Sequence, residues 1–571
     1  MLSVYPGVVD VDVTGGERKA AELPAAPSKP EVPAPAPARR RLRAAGRALR
    51  AAWRRHRRPL TVAACLGAIV LLYVAYLGQS RSLGTDADGA SNVLQAWDML
   101  HGNPLLRGWW LSDVSFYTTE LPEYMLVELA RGLNPAVISA AGAATYTLLV
   151  ALAALLAKGR ATGAQGLMRV LIAGGIMLAP GPGIGAGSLL SSPDHVGTQV
   201  PLLLIWLAID RLPDRWYLPV VVGALLTWVE LADQMAVYVG AVPVIVVCAI
   251  RLYQRRGTWR IDAGLLVAAA ASVAAATAGT LLIRRVGGFT VAPTSAVFTT
   301  AAQLPHHVSL TVEAVLALFG ADFFGLRSGP AAAVAVVHLT GVILVAWASC
   351  IAGRRLLSAG GRLVPVLFVG LAINLAAFVL STQAGDIGST HELAALVPFG
   401  AVLAGRLLPG RPAVTALVPA LAAVLAVYCG ALAYSATRPA GPAKTQAVAS
   451  WLTENHLTAG IGTYWTANIT TAATGGRVEV RPVVLSCGRF APYAWESRKA
   501  WYEPPAAATF LVLALTKSTG ANGTAADATA QFGPAQRTAR IGPYEVLVWN
   551  HDLMPAVAGG YAPGCGPTWH R

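Results

Sequence analysis

Residues 60–78 read LTVAACLGAIVLLYVAYLG, a run without a single charge. A bilayer core offers no water to backbone N–H and C=O groups, so a segment of about 20 apolar residues that crosses it does so as a helix. Comparable stretches recur near 135–157, 168–190, 196–209, 216–231, 235–252, 262–283, 331–351, 363–381, 393–408 and 413–434. With the first, near 60–79, they predict an α-helical polytopic membrane protein of about eleven transmembrane helices. Composition agrees: 13% of the residues are charged, against about 25% in soluble chains.

The loops between these stretches sort by charge. Lys158, Arg160, Arg211, Arg251, Arg354 and Arg406 fall on one side; Asp86, Asp88, Asp113, Glu120, Asp194 and Glu392 fall on the other. Cytoplasmic loops carry the excess of Lys and Arg. The alternation predicts a multi-pass plasma-membrane protein with its N-terminus in the cytoplasm and its C-terminus outside. Arg284 and Arg285 are the exception, a basic pair at an outward face.

The formal net charge is +15, but ten arginines lie in RRRLRAAGRALRAAWRRHRR at 39–58, directly before the first apolar run. That placement reads as a topogenic anchor beside anionic lipid. Nothing accompanies it that would read as nucleic-acid recognition, so membrane lipids and not nucleic acid are the expected partner there. Residues 1–38 are rich in Ala and Pro without periodicity, which predicts a disordered tail. The expected organisation is therefore a disordered basic tail over 1–58 and a membrane domain over 59–435 with its first outer loop at 80–134. An exported domain follows over 436–571.

That last domain changes character. AKTQAVASWLTENHL reads as an amphipathic helix, and RVEVRPVVL, TFLVLAL and YEVLVWN read as strands. Together they predict a small α/β fold. Cys487 and Cys565 are its only cysteines, the other four lying in apolar stretches. In an exported domain the two fit one disulfide, two unpaired thiols being the alternative.

Chemistry concentrates in the outer loops. In GTDADGASNVLQAWDMLHGN (84–103), Ala90, Val93, Leu94, Trp97 and Leu100 fall on one helical face, and Ser91, Asn92, Gln95, Asp98 and His101 on the other. Asp88 stands at the start of this helix. There it serves as an N-cap, or as a carboxylate able to accept a proton or bind a cation. WWLSDVSFYTTELPEY (109–124) adds Asp113 and Glu120 among aromatic rings, a mixture suited to carbohydrate. SSPDHVG (191–197), ELADQ (230–234), LPHHV (304–308) and GDIGSTHE (385–392) complete the outward set. The chain contains no HExxH, CxxC pair or Walker-type loop.

The stretch D88-GASNVLQAWDML-H-G102-N103 resembles the GT-C superfamily of integral-membrane glycosyltransferases. Protein O-mannosyltransferases and the aminoarabinose transferases of lipid A belong to that superfamily. In those families an acidic residue heads an amphipathic helix directly after the first span, and a Gly-Asp or Gly-Asn follows it. The usual Asp-Glu pair is Asp88-Gly89 here, with Asp86 as a possible substitute for the second acid. The resemblance covers the architecture of most of the chain; only this stretch carries it as a motif.

The resemblance implies a polyprenyl-phosphate-sugar lipid donor and an extracytoplasmic glycan, lipid or protein acceptor. It implies Asp88 or Asp86 as the catalytic carboxylate, and Arg284 and Arg285 at the donor phosphate. Asp194, His195, Asp113 and Glu120 are then expected to bind the acceptor or a divalent metal ion. Two rivals remain from the sequence: a secondary transporter, against which the lack of a clear internal repeat counts, and a non-catalytic scaffold that keeps the GT-C shell.

Overall fold

The computed structural model describes residues 37–181, 183–191, 195–293, 297–323, 329–358, 360–382, 384–441, 444–515, 522–558 and 565. The chain divides into two units, Met1–Leu66 and Gly67–Arg571. In the first, helix begins at Pro37 and runs through the arginine cluster. Ala, Leu and Arg are strong helix formers, and they dominate that stretch.

The second unit is mostly helical. Along the whole chain, six helices among the described residues are long and apolar enough to cross a membrane: Pro59–Leu83, Ala136–Lys158, Trp259–Arg285, Pro330–Arg354, Leu363–Leu380 and Val418–Ala436. A seventh arises if Ile387–Leu393 and Leu396–Leu407, bent by 49°, count as one span. Shorter apolar helices occupy Gly163–Met177, Tyr217–Ala232, Val237–Tyr253 and Leu304–Leu318. Among the described residues, then, fewer full-length spans stand than the eleven apolar stretches suggested.

Glycine and proline account for one of the differences. The expected span at 168–190 breaks at LAPGPGIG into Gly163–Met177 and Ile184–Leu190. A Cβ at Gly185 would lie 2.0 Å from the Ala317 carbonyl oxygen. The short helix therefore packs backbone to backbone on Leu304–Leu318, an approach that only small residues permit. LPHHV, read from sequence as loop, is the first turn of that partner helix.

The C-terminal part builds a six-stranded mixed sheet. Its strands run in the order Arg489–Pro492, Glu479–Ser486, Ala459–Thr463, Phe510–Ala514, Tyr544–Val548, Arg537–Ile541. The three expected strands and the helix Gln446–Glu454 all form. Val480, Phe510, Val512 and Val546 fill one face of the sheet; Ile461, Val483, Leu511 and Leu547 fill the other. Cys487 and Cys565 are joined in a disulfide, with Cα atoms 5.9 Å apart.

A second, three-stranded sheet ties this domain to the membrane part. Trp109–Leu111 of the first outer loop pairs with Thr290–Val291 on one side and with Ser497–Arg498 on the other. Asp98 reinforces the joint: it binds Arg498 Nη1 at 2.9 Å and accepts from Trp109 Nε1 at 2.7 Å and Asn103 Nδ2 at 2.6 Å. Gly102 follows the helix at φ +98°, a conformation that glycine adopts without strain. The Gly-Asn of the motif thus closes a turn.

Candidate functional site

The helix Ala87–Leu100 starts on an aspartate, and that aspartate is Asp86. Its backbone is extended, as an N-cap requires, and its carboxylate accepts from the Gly89 N–H at 2.8 Å. The cap thus lies two residues before the one suggested from sequence. DADG offers two acids, and capping by the first leaves the second in the first helical turn. A Cβ at Gly89 would come 2.9 Å from Ile138 Cγ2 and 3.0 Å from Asp86 Oδ1. The second acid of the usual pair therefore has no room here.

Asp88 instead faces a cavity of about 390 Å³. Asp88, Asn92, Ser112, Asp113 and Phe116, from the segment that follows Pro59–Leu83, form one wall. His195 comes from a second loop, and His391 with Glu392 from the turn Ile387–Leu393. The C-terminal domain closes the cavity with Tyr464, Trp465, Tyr493, Trp495 and Glu496. Among the described lining residues there is no lysine or arginine. The side-chain nitrogen of Asn92, buried in the wall, has no partner among the described residues, which leaves a donor for a ligand.

Backbone strain gathers here. Seven described non-glycine residues have positive φ, and three of them, Phe116, His195 and Glu496, line the cavity. Such strain persists where surrounding structure over-determines it, commonly at functional sites.

His195 is held from behind. Its Nδ1 lies 2.8 Å from Asp233 Oδ2. Asp233 also accepts from the Thr198 hydroxyl at 2.5 Å and from the Met235 N–H at 2.8 Å. Nε2 then points to Glu392 Oε2 at 3.5 Å. Burial alone would lower the imidazole's pKa; the Asp233 and Glu392 carboxylates reverse this and hold it well above the ordinary value. Ligand atoms of His195, His391 and Glu392 lie within 4.8 Å of one another. A carboxylate behind a histidine that fixes which ring nitrogen faces the site is the usual outer shell of a metal centre. The donor set therefore fits a divalent cation, and mixed imidazole and carboxylate ligands suit several metals.

The remaining sequence candidates fall as follows. Asp113 lines the cavity, its pKa raised by burial and partly restored by His195. Glu120 does not line it. It opens the helix Glu120–Arg131, accepts from the Thr119 hydroxyl and packs where a Cβ at Gly197 would sit. Burial pushes its carboxyl up to about 8. Arg284 and Arg285 end the helix Trp259–Arg285, exposed and outside the cavity wall. Asp194 lies outside the described residues.

Sequence reasoning did not single out His391, Glu392, Tyr464, Trp465, Tyr493, Trp495 or Glu496 as site residues. GDIGSTHE marked the neighbourhood of His391 and Glu392, whereas nothing local marks Glu496.

No family model and no curated protein matches the chain. Solved structures similar to it include the oligosaccharyltransferase of Archaeoglobus fulgidus in the apo form. Identity to it is 13% over 79% of this chain and 70% of that one, with a TM-score of 0.44. The same archaeal enzyme, AglB, in complex with an inhibitory peptide and a dolichol-phosphate matches at 13% identity over 79% and 69%, TM-score 0.43. ArnT from Cupriavidus metallidurans in the apo state matches at 13% identity over 88% of this chain and all of that one, TM-score 0.37. No residue role is carried over from them.

Proposed function

We propose that this chain is a membrane glycosyltransferase. In this reading it moves a sugar from a polyprenyl-phosphate-sugar donor to an extracytoplasmic glycan, lipid or protein acceptor, with Asp88 as general base. The shorter apolar helices would complete the crossings of a GT-C-like domain of about eleven spans. The N-terminus would be cytoplasmic and the C-terminal domain outside.

One observation carries the reading. Asp88, at the first turn of an amphipathic outer-loop helix, shares one cavity with carboxylates, imidazoles and aromatic rings from three outer loops and the C-terminal domain. Asp88 would accept the proton of the acceptor hydroxyl as that oxygen bonds to the anomeric carbon. The bond from that carbon to the donor phosphate oxygen breaks, and polyprenyl phosphate leaves with the electron pair. Trp465 and Trp495, in the cavity lining, would stack on a sugar, and Asp113 and Glu496 would hold its hydroxyls.

The leaving phosphate needs positive charge, and Arg284 and Arg285 stand outside the cavity wall. A divalent ion held by His195, His391 and Glu392 would supply that charge.

The test is transfer of radiolabelled sugar from polyprenyl-phosphate donors in membranes, with wild type beside Asp88→Asn at equal expression. Loss of a general base lowers the rate on the order of 10²–10⁴-fold. Equal transfer by both proteins would remove Asp88 from the chemistry. No transfer with any donor would favour the scaffold or transporter.

A further inference from the structure

Two helices meet across the domain boundary, and their periodicity gives the contact two rungs. On Ala87–Leu100, Asp88 and Ser91 lie three residues apart; on Tyr464–Ala473, Tyr464 and Asn468 lie four apart. Both spacings keep a pair on one helical face. Asn468 Nδ2 donates to Ser91 Oγ at 2.8 Å and to the Glu496 carbonyl at 2.9 Å. The Tyr464 hydroxyl donates to Asp88 Oδ1. The Tyr464 ring is fixed in turn: Trp465 and Tyr493 pack edge-on against it, with centroids 5.1 and 5.7 Å away.

We propose that Tyr464 is a positioning residue for Asp88, so that the C-terminal domain completes the chemical centre by fixing the carboxylate that takes the acceptor proton. This rests on the glycosyltransferase reading above. Asp88 emerges from the first turn of a helix whose cap is occupied by Asp86, so the capping bond is not what holds its carboxylate. A buried donor on one oxygen restricts rotation of this carboxylate, which lines the cavity. A base held in its productive geometry spends no energy on reorientation at the moment of reaction. Tyr464 suits the task because burial, then the charges of Asp88 and Glu496, keep its hydroxyl protonated.

The test uses the full-length protein and the transfer assay, with Tyr464→Phe, Asp88→Asn, the double variant and Asn468→Ala. Tyr464→Phe keeps the ring and its packing. The expected result is a fall in kcat of about tenfold or more, with KM for donor and acceptor unchanged within about twofold. In the Asp88→Asn background the same change should alter the residual rate less than about twofold, because the residue it positions is gone. Asn468→Ala, which removes the Ser91 rung and the bond to the Glu496 carbonyl but spares the Tyr464–Asp88 bond, should lower thermal stability and leave kcat near wild type. A Tyr464→Phe protein at the wild-type rate overturns the proposal while a loss in Asp88→Asn leaves the functional reading standing. Equal losses in both backgrounds overturn it as well, as does an Asn468→Ala variant that reproduces the kcat loss. No transfer by wild type removes both.

Discussion

The two ends of the helical bundle treat buried carboxylates in opposite ways. At the start of Trp259–Arg285, Asp262 meets Arg251 Nε at 3.0 Å and Arg362 Nε at 2.6 Å, and Arg362 Nη1 reaches Asp214 at 2.6 Å. Nearby in sequence logic, Asp210 meets Arg406 at 2.6 Å. At the other end, Asp88, Asp113, Glu392 and Glu496 line a cavity with imidazoles and aromatic rings, and no described arginine or lysine lines it with them. A buried ion pair satisfies its own charges and holds helices in register; removing one member leaves an uncompensated charge. Apart from Glu392, which faces the His195 imidazole, carboxylates gathered without arginine or lysine in the same wall repel one another and invite a proton, a metal ion or a polar ligand. One end is built to be finished, the other to be completed by something bound.

This contrast is open to attack at both ends. The largest effect belongs to Arg362→Ala, which leaves the fully buried Asp262 with the Arg251 guanidinium and the Thr258 hydroxyl, and Asp214 without this partner. It should cost roughly 3–5 kcal/mol, read as a lowered Tm in detergent, with transfer per folded molecule preserved. Next is His195→Ala in the cavity. Metal affinity should fall by at least the roughly 10–100-fold that loss of an outer-shell partner costs, measured as divalent metal retained after dialysis. Unchanged retention would remove His195 from the ligand set.

A smaller effect concerns pH. Burial pushes the Glu496 carboxyl up to about 7, above its ordinary 4.5. A group raised in the folded state contributes stability below its ordinary value, and that contribution is lost as pH rises through the folded value. Wild-type stability should therefore decline between about pH 4.5 and pH 7. Glu496→Gln should flatten that decline, since its oxygen still accepts from the Ser112 N–H, as Glu496 Oε1 now does at 2.8 Å. Thermal melts at pH 5 and pH 8 check this. The smallest effect is Lys499→Ala. Lys499 and Glu503 lie 3.5 Å apart with both side chains more than half exposed, so the change should stay within about 0.5 kcal/mol.

What the sequence made legible follows the range of the interactions involved. The helix after the first span was readable because periodicity is local, and so were the strands of the C-terminal domain and the pairing of its two cysteines. The capping role went to Asp86 because two acids two residues apart look alike until their backbone angles are known. Glycine-rich LAPGPGIG hid a broken segment inside an apolar run, since hydropathy does not record how closely two backbones approach. Tyr464 meets Asp88 across a separation of 376 residues, and Glu496 reaches the first outer loop at Ser112 across 384. No local pattern announces such contacts. His391 and Glu392 stood in a stretch already noted as outward and polar, yet only the fold brings them to His195.

The most direct measurement pairs one carboxylate from each end. Asp88→Asn and Asp262→Asn would be compared for transfer rate per folded molecule and for Tm in the same membranes and detergent. The account predicts a crossover: Asp88→Asn loses transfer and keeps its Tm, whereas Asp262→Asn loses Tm and keeps transfer. Transfer retained by Asp88→Asn, or lost by Asp262→Asn with its Tm intact, would contradict it.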